Sequence, residues 1–101
     1  MMARRTTSQA RPRRSSPVRA AFLSRAVLCD LGGISERQLA VWEFEELLAP
    51  ARVIDVGGRR EPLYNRETLR RIRVIRTLAE ELDVNLPGIG IILHLLDQLG
   101  R

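Results

Sequence analysis

The stretch Gly32-Gly33-Ile34-Ser35-Glu36-Arg37-Gln38-Leu39 decides the fold, because a helix stop and a helix start follow one another in it. The two glycines end a helix that begins after Ser24. Ser35 and Gln38 form a capping box, in which the Ser35 hydroxyl accepts the backbone N–H of Gln38 and the Gln38 side chain reaches back. Two short helices joined by a glycine turn predict a helix-turn-helix.

A small β-hairpin is predicted after the second helix. We expect Pro50 to close that helix, since proline lacks the N–H that a helix interior needs. Beyond it the apolar residues alternate, which indicates strands over 53–56 and 62–64. Gly57-Gly58 lies between them and is typical of a two-residue hairpin turn. Such a hairpin after a helix-turn-helix is a wing.

Two further helices follow the wing. Asn65 can cap the first, and Asn85 or Leu86 can cap the second, which has Pro87 in its first turn and reaches about Leu99. The first has apolar residues at helical spacing: Leu69, Ile72, Ile75, Leu78, Ala79 and Leu82. The predicted fold class is therefore mainly α, a winged helix-turn-helix followed by two further helices.

The net charge of +5 is unevenly distributed along the chain. Residues 1–25 contain seven arginines and no acidic residue, so the rest of the chain carries ten basic and twelve acidic side chains. We predict that residues 1–20 are a disordered basic arm and that residues 21–101 form one domain. The arm either attracts phosphate without regard to sequence or is only a solubilising leader.

Several classes of protein are disfavoured by the sequence. Cys29 is the only cysteine, no signal peptide is recognisable, and the longest apolar run, 89–96, is far shorter than the roughly 20 residues of a membrane helix. His94 is the only histidine and has only Asp97 near it in sequence, so no catalytic group is evident. We expect a cytoplasmic, non-enzymatic protein without a metal or cofactor.

The charges on the predicted elements favour contact with double-stranded DNA through the wing. Residues 36–49 have a net charge of −3, whereas residues 59–76 have seven arginines against two glutamates. Arginines of this kind can clamp phosphates, although they also occur on solvated helix faces with internal ion pairs. The candidate DNA-binding residues are Arg37 and Gln38 for bases, and Arg59, Arg60, Tyr64, Asn65, Arg66 and Arg70 for the backbone.

The last helix is apolar on more than one side. One stripe consists of Ile89, Ile92, Leu93 and Leu96, whereas Ile91 and Leu95 project toward the opposite side. Either the third helix wraps enough of this surface, or a second copy or a partner protein covers it. A homodimer through the last helix is therefore one expectation.

Residues 23–99 resemble the MerR-type winged-helix family. The resemblance is carried by 34–39, Trp42-Glu43, 47–50, and Gly57-Gly58-Arg59-Arg60 with Leu63-Tyr64. Val84-Asn85-Leu86-Pro87-Gly88-Ile89 is similar to a stretch of two branches, the heat-shock repressors and the chaperone modulators that bind J-domain co-chaperones. The resemblance implies a DNA-binding transcriptional regulator linked to heat-shock or chaperone genes.

One departure keeps an alternative function open. Where DNA-binding members usually carry Leu-Arg-Tyr-Tyr-Glu, this chain has Leu39-Ala40-Val41-Trp42-Glu43, without the arginine and with valine and tryptophan in place of the two tyrosines. The alternative is a chaperone modulator that binds a J-domain co-chaperone through protein contacts and does not bind DNA. Its candidate partner-binding residues are Trp42, Glu43, Glu46, Ile91 and Leu95, although Trp42 at this spacing is typical of a core residue.

Overall fold

The computed structural model describes residues 22–100, and the predicted arm over 1–20 lies outside them. Four α-helices and one two-stranded antiparallel sheet follow in the described part of the chain. They are α1 (Arg25–Gly32), α2 (Glu36–Phe44), β1 (Arg52–Val56), β2 (Arg59–Leu63), α3 (Arg66–Arg76) and α4 (Leu86–Leu99). The predicted mainly α, winged helix-turn-helix fold is confirmed.

The turn between α1 and α2 is built as the sequence predicts. The Ser24 hydroxyl caps α1 by accepting the backbone N–H of Val27, and Gly33 ends it in the left-handed region at φ 70°. Both bonds of the capping box are present, with the Gln38 N–H donating to the Ser35 hydroxyl and the Ser35 N–H donating to the Gln38 side chain. Local chemistry therefore sets the angle at which the two helices meet.

The second helix ends at Phe44, so the prediction that Pro50 closes it is wrong. The chain turns at Glu46, which adopts φ 63°, and Leu47 N–H bonds to the carbonyl of Trp42. On a continued helix Leu48 would lie on the same outward line as Val41 and Phe44. The early turn buries both Leu47 and Leu48 instead, and this burial outweighs the continuation of the helix.

The wing is a short hairpin whose turn requires glycine. Gly57 and Gly58 adopt φ 58° and 79°, and Val56 pairs with Arg59 across them. Positive φ at both central residues is the geometry of a type I′ turn. The return strand begins at Arg59 rather than at residue 62 as predicted, and Tyr64 leaves the hairpin to pair with Leu23 through two backbone hydrogen bonds of 2.6 and 2.8 Å.

α3 provides the centre of the core. Asn65 caps it in a reciprocal arrangement with Thr68, and its Ile72 and Ile75 are fully buried. The helix continues as a π-helical segment, Thr77–Glu81, and the chain then reverses at Asp83, which has φ 57°. The other three helices and the base of the wing each add one fully buried side chain: Leu28, Leu39, Ile89 and Tyr64.

α4 packs on this core with one face only. Asn85 caps the helix and Pro87 lies in its first turn, as expected from the sequence. Ile89 and Leu93 are buried, whereas Ile91 and Leu95 are 63% and 52% exposed. Of the predicted stripe, Ile92 is half-buried and Leu96 is exposed, so α3 does not cover the far side of α4.

None of the helices in residues 22–100 combines the length and the hydropathy that crossing a membrane would require.

We expect Gly33→Ala to destabilise the fold more than Gly57→Ala, although both put alanine at positive φ. A Cβ at residue 33 would lie 2.6 Å from a guanidinium nitrogen of Arg76, the nitrogen that donates to the Gly32 carbonyl, whereas one at residue 57 meets no atom within 4 Å. Urea denaturation should show a loss of about 1 kcal/mol for Gly57→Ala, the strain alone, and about 2–3 kcal/mol for Gly33→Ala. Equal losses would contradict a structural role for the Arg76 contact.

Candidate nucleic-acid interface

The outward face of α2 is defined by the burial of its opposite face. Leu39 and Trp42 are buried, and the opposite side of the helix includes Arg37, Val41 and Phe44. All three are exposed, and they follow one another at intervals of four and three residues. We call them the outward line of α2. Exposed Gln38 and Ala40 flank it.

A cluster of polar side chains beneath α2 joins three segments of the chain. Arg25 of α1 donates to Glu43 of α2 at 2.8 Å and to the hydroxyl oxygen of Tyr64 at 2.8 Å. The Tyr64 hydroxyl in turn donates to the other carboxylate oxygen of Glu43 at 2.7 Å. Arg25 also lies 3.5 Å from the Glu36 carboxylate. This Arg25 cluster ties both helices of the helix-turn-helix to the base of the wing.

The Arg25 cluster changes the charge that α2 presents. Glu36 and Glu43 are the two acidic residues of the helix itself, and both are paired with Arg25. Glu45 and Glu46 lie beyond its last residue, Phe44. The net charge of −3 that the sequence suggested for this region is therefore not the charge of its outward line, which contains Arg37 and no acidic residue.

Tyr64 has a structural position rather than the DNA-contacting one proposed from the sequence. Its side chain is fully buried, and its hydroxyl is engaged by Glu43 and Arg25. Burial raises the pKa of Tyr64 to about 12, and the hydrogen bond to the negatively charged Glu43 adds to this effect. The phenol is therefore neutral at physiological pH and has no face toward a ligand.

The wing arginines are available for contact. Arg59 and Arg60 are exposed, and no ion pair involves them within residues 22–100. Arg52, at the start of β1, is also exposed and lies with its guanidinium carbon 5.3 Å from the centre of the Phe22 ring. Sequence reasoning missed Arg52. Its position opposite Leu63, at the base of the hairpin, is what could have placed it with the other wing arginines.

The arginines of α3 divide into two groups. Arg66 and Arg73 are exposed without an ion pair in residues 22–100, and Arg70 is exposed but paired with Glu67 at 2.6 Å. Arg71 and Arg76 hold the fold together: Arg71 bonds to the Leu47 carbonyl and to Asp97, and Arg76 bonds to the Gly32 carbonyl and to Glu80. Asn65 uses its side chain to cap α3. The basic surface is therefore smaller than the run of arginines in the sequence suggested.

The candidate partner-binding residues are not brought together as one surface. Trp42 is buried in the core, and Glu43 belongs to the Arg25 cluster, so neither is positioned as an anchor. Glu46 is exposed and lines a shallow depression together with Gly90 and His94 of α4. Exposed Ile91 and Leu95 each directly follow one of these two α4 residues and do not line the depression, and Leu99 extends their line at 81% exposure.

The structure also shows the surroundings of the candidate metal-binding and reactive side chains in residues 22–100. No group of three or more histidine, cysteine or acidic side chains lies there in an arrangement that could hold a metal ion. Cys29 is buried, and burial raises the pKa of its thiol, which disfavours the thiolate. His94 lies 3.1 Å from the side-chain nitrogen of Gln98.

Comparison with known proteins agrees with this architecture. The model of the MerR HTH family of regulatory proteins matches residues 26–96, which is more than half of the chain and includes α2, the wing, α3 and most of α1 and α4. A search of curated proteins found no sequence that matches significantly.

The ionisation of Tyr64 tests the Arg25 cluster directly, since Tyr64 is the only tyrosine of the chain. We expect the tyrosinate absorbance of the folded protein to appear with a midpoint near pH 12, against about 10 for the chain in urea. Because the unfolded chain loses this proton first, the cluster's contribution to stability is complete below pH 10 and falls between pH 10 and 12. Glu43→Gln should lower the midpoint, whereas an ordinary midpoint near 10 in the folded wild type would contradict the burial of the hydroxyl.

Proposed function

Because the chain belongs to the MerR helix-turn-helix family of regulatory proteins, we propose that it binds double-stranded DNA and regulates transcription. In this proposal the outward line of α2 enters the major groove, and the wing arginines contact the phosphate backbone on its flank. The protein acts in the cytoplasm and uses no cofactor.

The pairing of Glu36 and Glu43 with Arg25 carries the proposal. Without it, α2 would bring two unpaired carboxylates toward a polyanion, and their repulsion would oppose docking. With it, Arg37 and Gln38 are the polar side chains nearest to the groove, and both residue types bond to purine edges. The same cluster connects α2 to the base of the wing, so the two elements would dock as one unit.

Binding by one chain would depend more on phosphates than on bases. Arg52, Arg59, Arg60 and Arg66 are exposed cations without an ion pair in the described part of the chain. Contacts of this kind raise affinity for every sequence and release counterions, so affinity falls with salt. Arg70 would join them if its contact with Glu67 opens. One chain has few side chains that could discriminate between base pairs, which favours a dimer that reads two half-sites.

The exposed line of α4 supplies a surface on which such a dimer could form. Ile91, Leu95 and Leu99 follow one another at intervals of four residues and are all more than half exposed. We propose that two copies pack these lines together, which would bury the apolar side chains and double the number of half-sites. The resemblance of Val84–Ile89 to heat-shock repressors supports heat-shock or chaperone genes as the regulated set.

A second candidate function uses the same surface differently. A chaperone modulator would bind the basic helix of a J-domain through Glu46, near α4, with Ile91 and Leu95 as apolar contacts. The adjacency of exposed Glu46 to α4 favours this candidate. A J-domain titration with wild type and Glu46→Lys distinguishes it, because the charge reversal should weaken J-domain binding and leave DNA binding intact.

We expect Arg59→Ala with Arg60→Ala to weaken binding of the full chain to every duplex alike. Removing two phosphate contacts should flatten the slope of log affinity against log salt by up to about two. The measurement is fluorescence anisotropy with the duplex upstream of the gene and with random duplex, at several salt concentrations.

The matched control for that pair is Arg59→Lys with Arg60→Lys, which keeps both charges and should keep the slope. If the alanine pair has the wild-type slope, the wing is not at the interface. If the wild-type chain binds no duplex at low salt, the DNA-binding proposal fails and the chaperone-modulator candidate is the one to pursue.

The dimer is tested by Ile91→Asp with Leu95→Asp. Opposed carboxylates in an apolar interface are strongly disfavoured, so we expect this variant to be a monomer by light scattering after gel filtration. Val27→Asp with Leu31→Asp is the matched control, because these aliphatic residues of α1 have the same spacing and are 44% and 54% exposed. A monomeric wild type, or a dimer that survives the α4 pair, would exclude this interface.

A further inference from the structure

The outward line of α2 contains two apolar residues that the fold itself does not use. Val41 is 43% exposed and Phe44 is 85% exposed, so neither contributes much to the core. Phe44 is the last residue of α2, and the chain turns away into the core directly after it at Leu47 and Leu48. A phenyl ring at the last residue of a helix, left uncovered by the core, is a large apolar group available to a ligand.

The ligand must tolerate a cation in the same line. Arg37 lies four residues before Val41 on this face, Gln38 and Ala40 flank it, and both carboxylates of α2 turn toward Arg25. Tyr64, the residue after β2, connects the base of the wing to α2 through Glu43, and the wing carries the exposed Arg59 and Arg60. A surface with apolar side chains, cations and no free acid in its centre complements a polyanion that also offers apolar groups.

The major groove of duplex DNA meets this description. Its floor is formed by hydrogen-bonding groups and by one apolar group, the 5-methyl of thymine. From Arg37 to Phe44 the helix rises about 10 Å, which is roughly three base-pair steps. A purine at the Arg37 end and thymine at the Phe44 end would therefore fit within one half-site.

We propose that Val41 and Phe44 are specificity-determining residues that recognise thymine through its 5-methyl group. This inference rests on the proposed DNA-binding function and adds to it the base that the apolar half of α2 selects. Arg37 and Gln38 then select the purine, and the wing arginines add affinity without selection.

The experiment begins with selection of duplexes by the full chain from a random pool. The enriched duplex is then synthesised with each thymine replaced, one at a time, by deoxyuridine, which removes only the methyl group. At one or two positions we expect affinity to fall about fourfold, the loss expected for one buried methyl-sized group. The other replacements should have little effect.

Variants then assign the methyl contact to its side chain. Phe44→Ala and Val41→Ala should weaken binding to the thymine duplex and abolish the difference between thymine and deoxyuridine at the sensitive positions. Val27→Ala is the matched control, because Val27 is 44% exposed, close to the 43% of Val41, but lies on α1. It should keep the full difference. Since all three residues are exposed, circular dichroism should show unchanged folding.

The outcomes separate the inference from the function on which it rests. An enriched duplex that tolerates deoxyuridine at every position overturns thymine recognition and leaves DNA binding in place. The same holds if Phe44→Ala and Val41→Ala both retain the methyl sensitivity. If no duplex is enriched or retained, the proposed function itself fails, and the exposed phenyl ring would then belong to a protein contact.

Discussion

The hydrogen-bonded pairing of Arg25, Glu43 and Tyr64 is the constraint on which the rest of the structure depends. These three side chains come from α1, α2 and the residue after β2, so their contacts fix the helix-turn-helix and the wing relative to one another. Partly buried ion pairs lose much of their hydration energy, and this one is compensated because Tyr64 satisfies a second carboxylate oxygen of Glu43. Removing any one partner would leave the other two without a hydrogen bond that they need, so the cluster favours this one arrangement of the three segments.

The same cluster determines what remains on the surface. A family regulator needs an outward face on α2 that a polyanion tolerates, yet this helix contains two glutamates. Arg25 reduces this conflict, because it hydrogen-bonds to Glu43 and lies 3.5 Å from the Glu36 carboxylate, and neither acid belongs to the outward line. Stability and charge therefore have one origin here, and a change that loosens the cluster would also change the electrostatics of the outward line.

Sequence reasoning succeeded where the determining interaction is local. Both capping boxes, the left-handed Gly33 and the two-glycine turn of the wing depend on residues within four positions of one another. It failed where distant residues decide. α2 ends at Phe44 because Leu47 and Leu48 are buried in a core to which α3 and α4 contribute. Tyr64 is buried, and its hydroxyl bonds to partners 21 and 39 residues away. No periodicity near Tyr64 distinguishes a buried hydroxyl from an exposed one.

The remaining surface is organised by what the core leaves uncovered. Exposed apolar side chains remain on three helices: Val27 and Leu31 of α1, Val41 and Phe44 of α2, and Ile91, Leu95 and Leu99 of α4. Contiguous exposed apolar surface often marks a contact site, and the proposed contacts use the lines on α2 and α4 in this sense. Their positions on different helices allow both to be used together, with α2 facing a ligand while α4 faces a second copy. In the proposed dimer, a small domain with few side chains that can read bases would gain selectivity by adding a second half-site, without enlarging its own core.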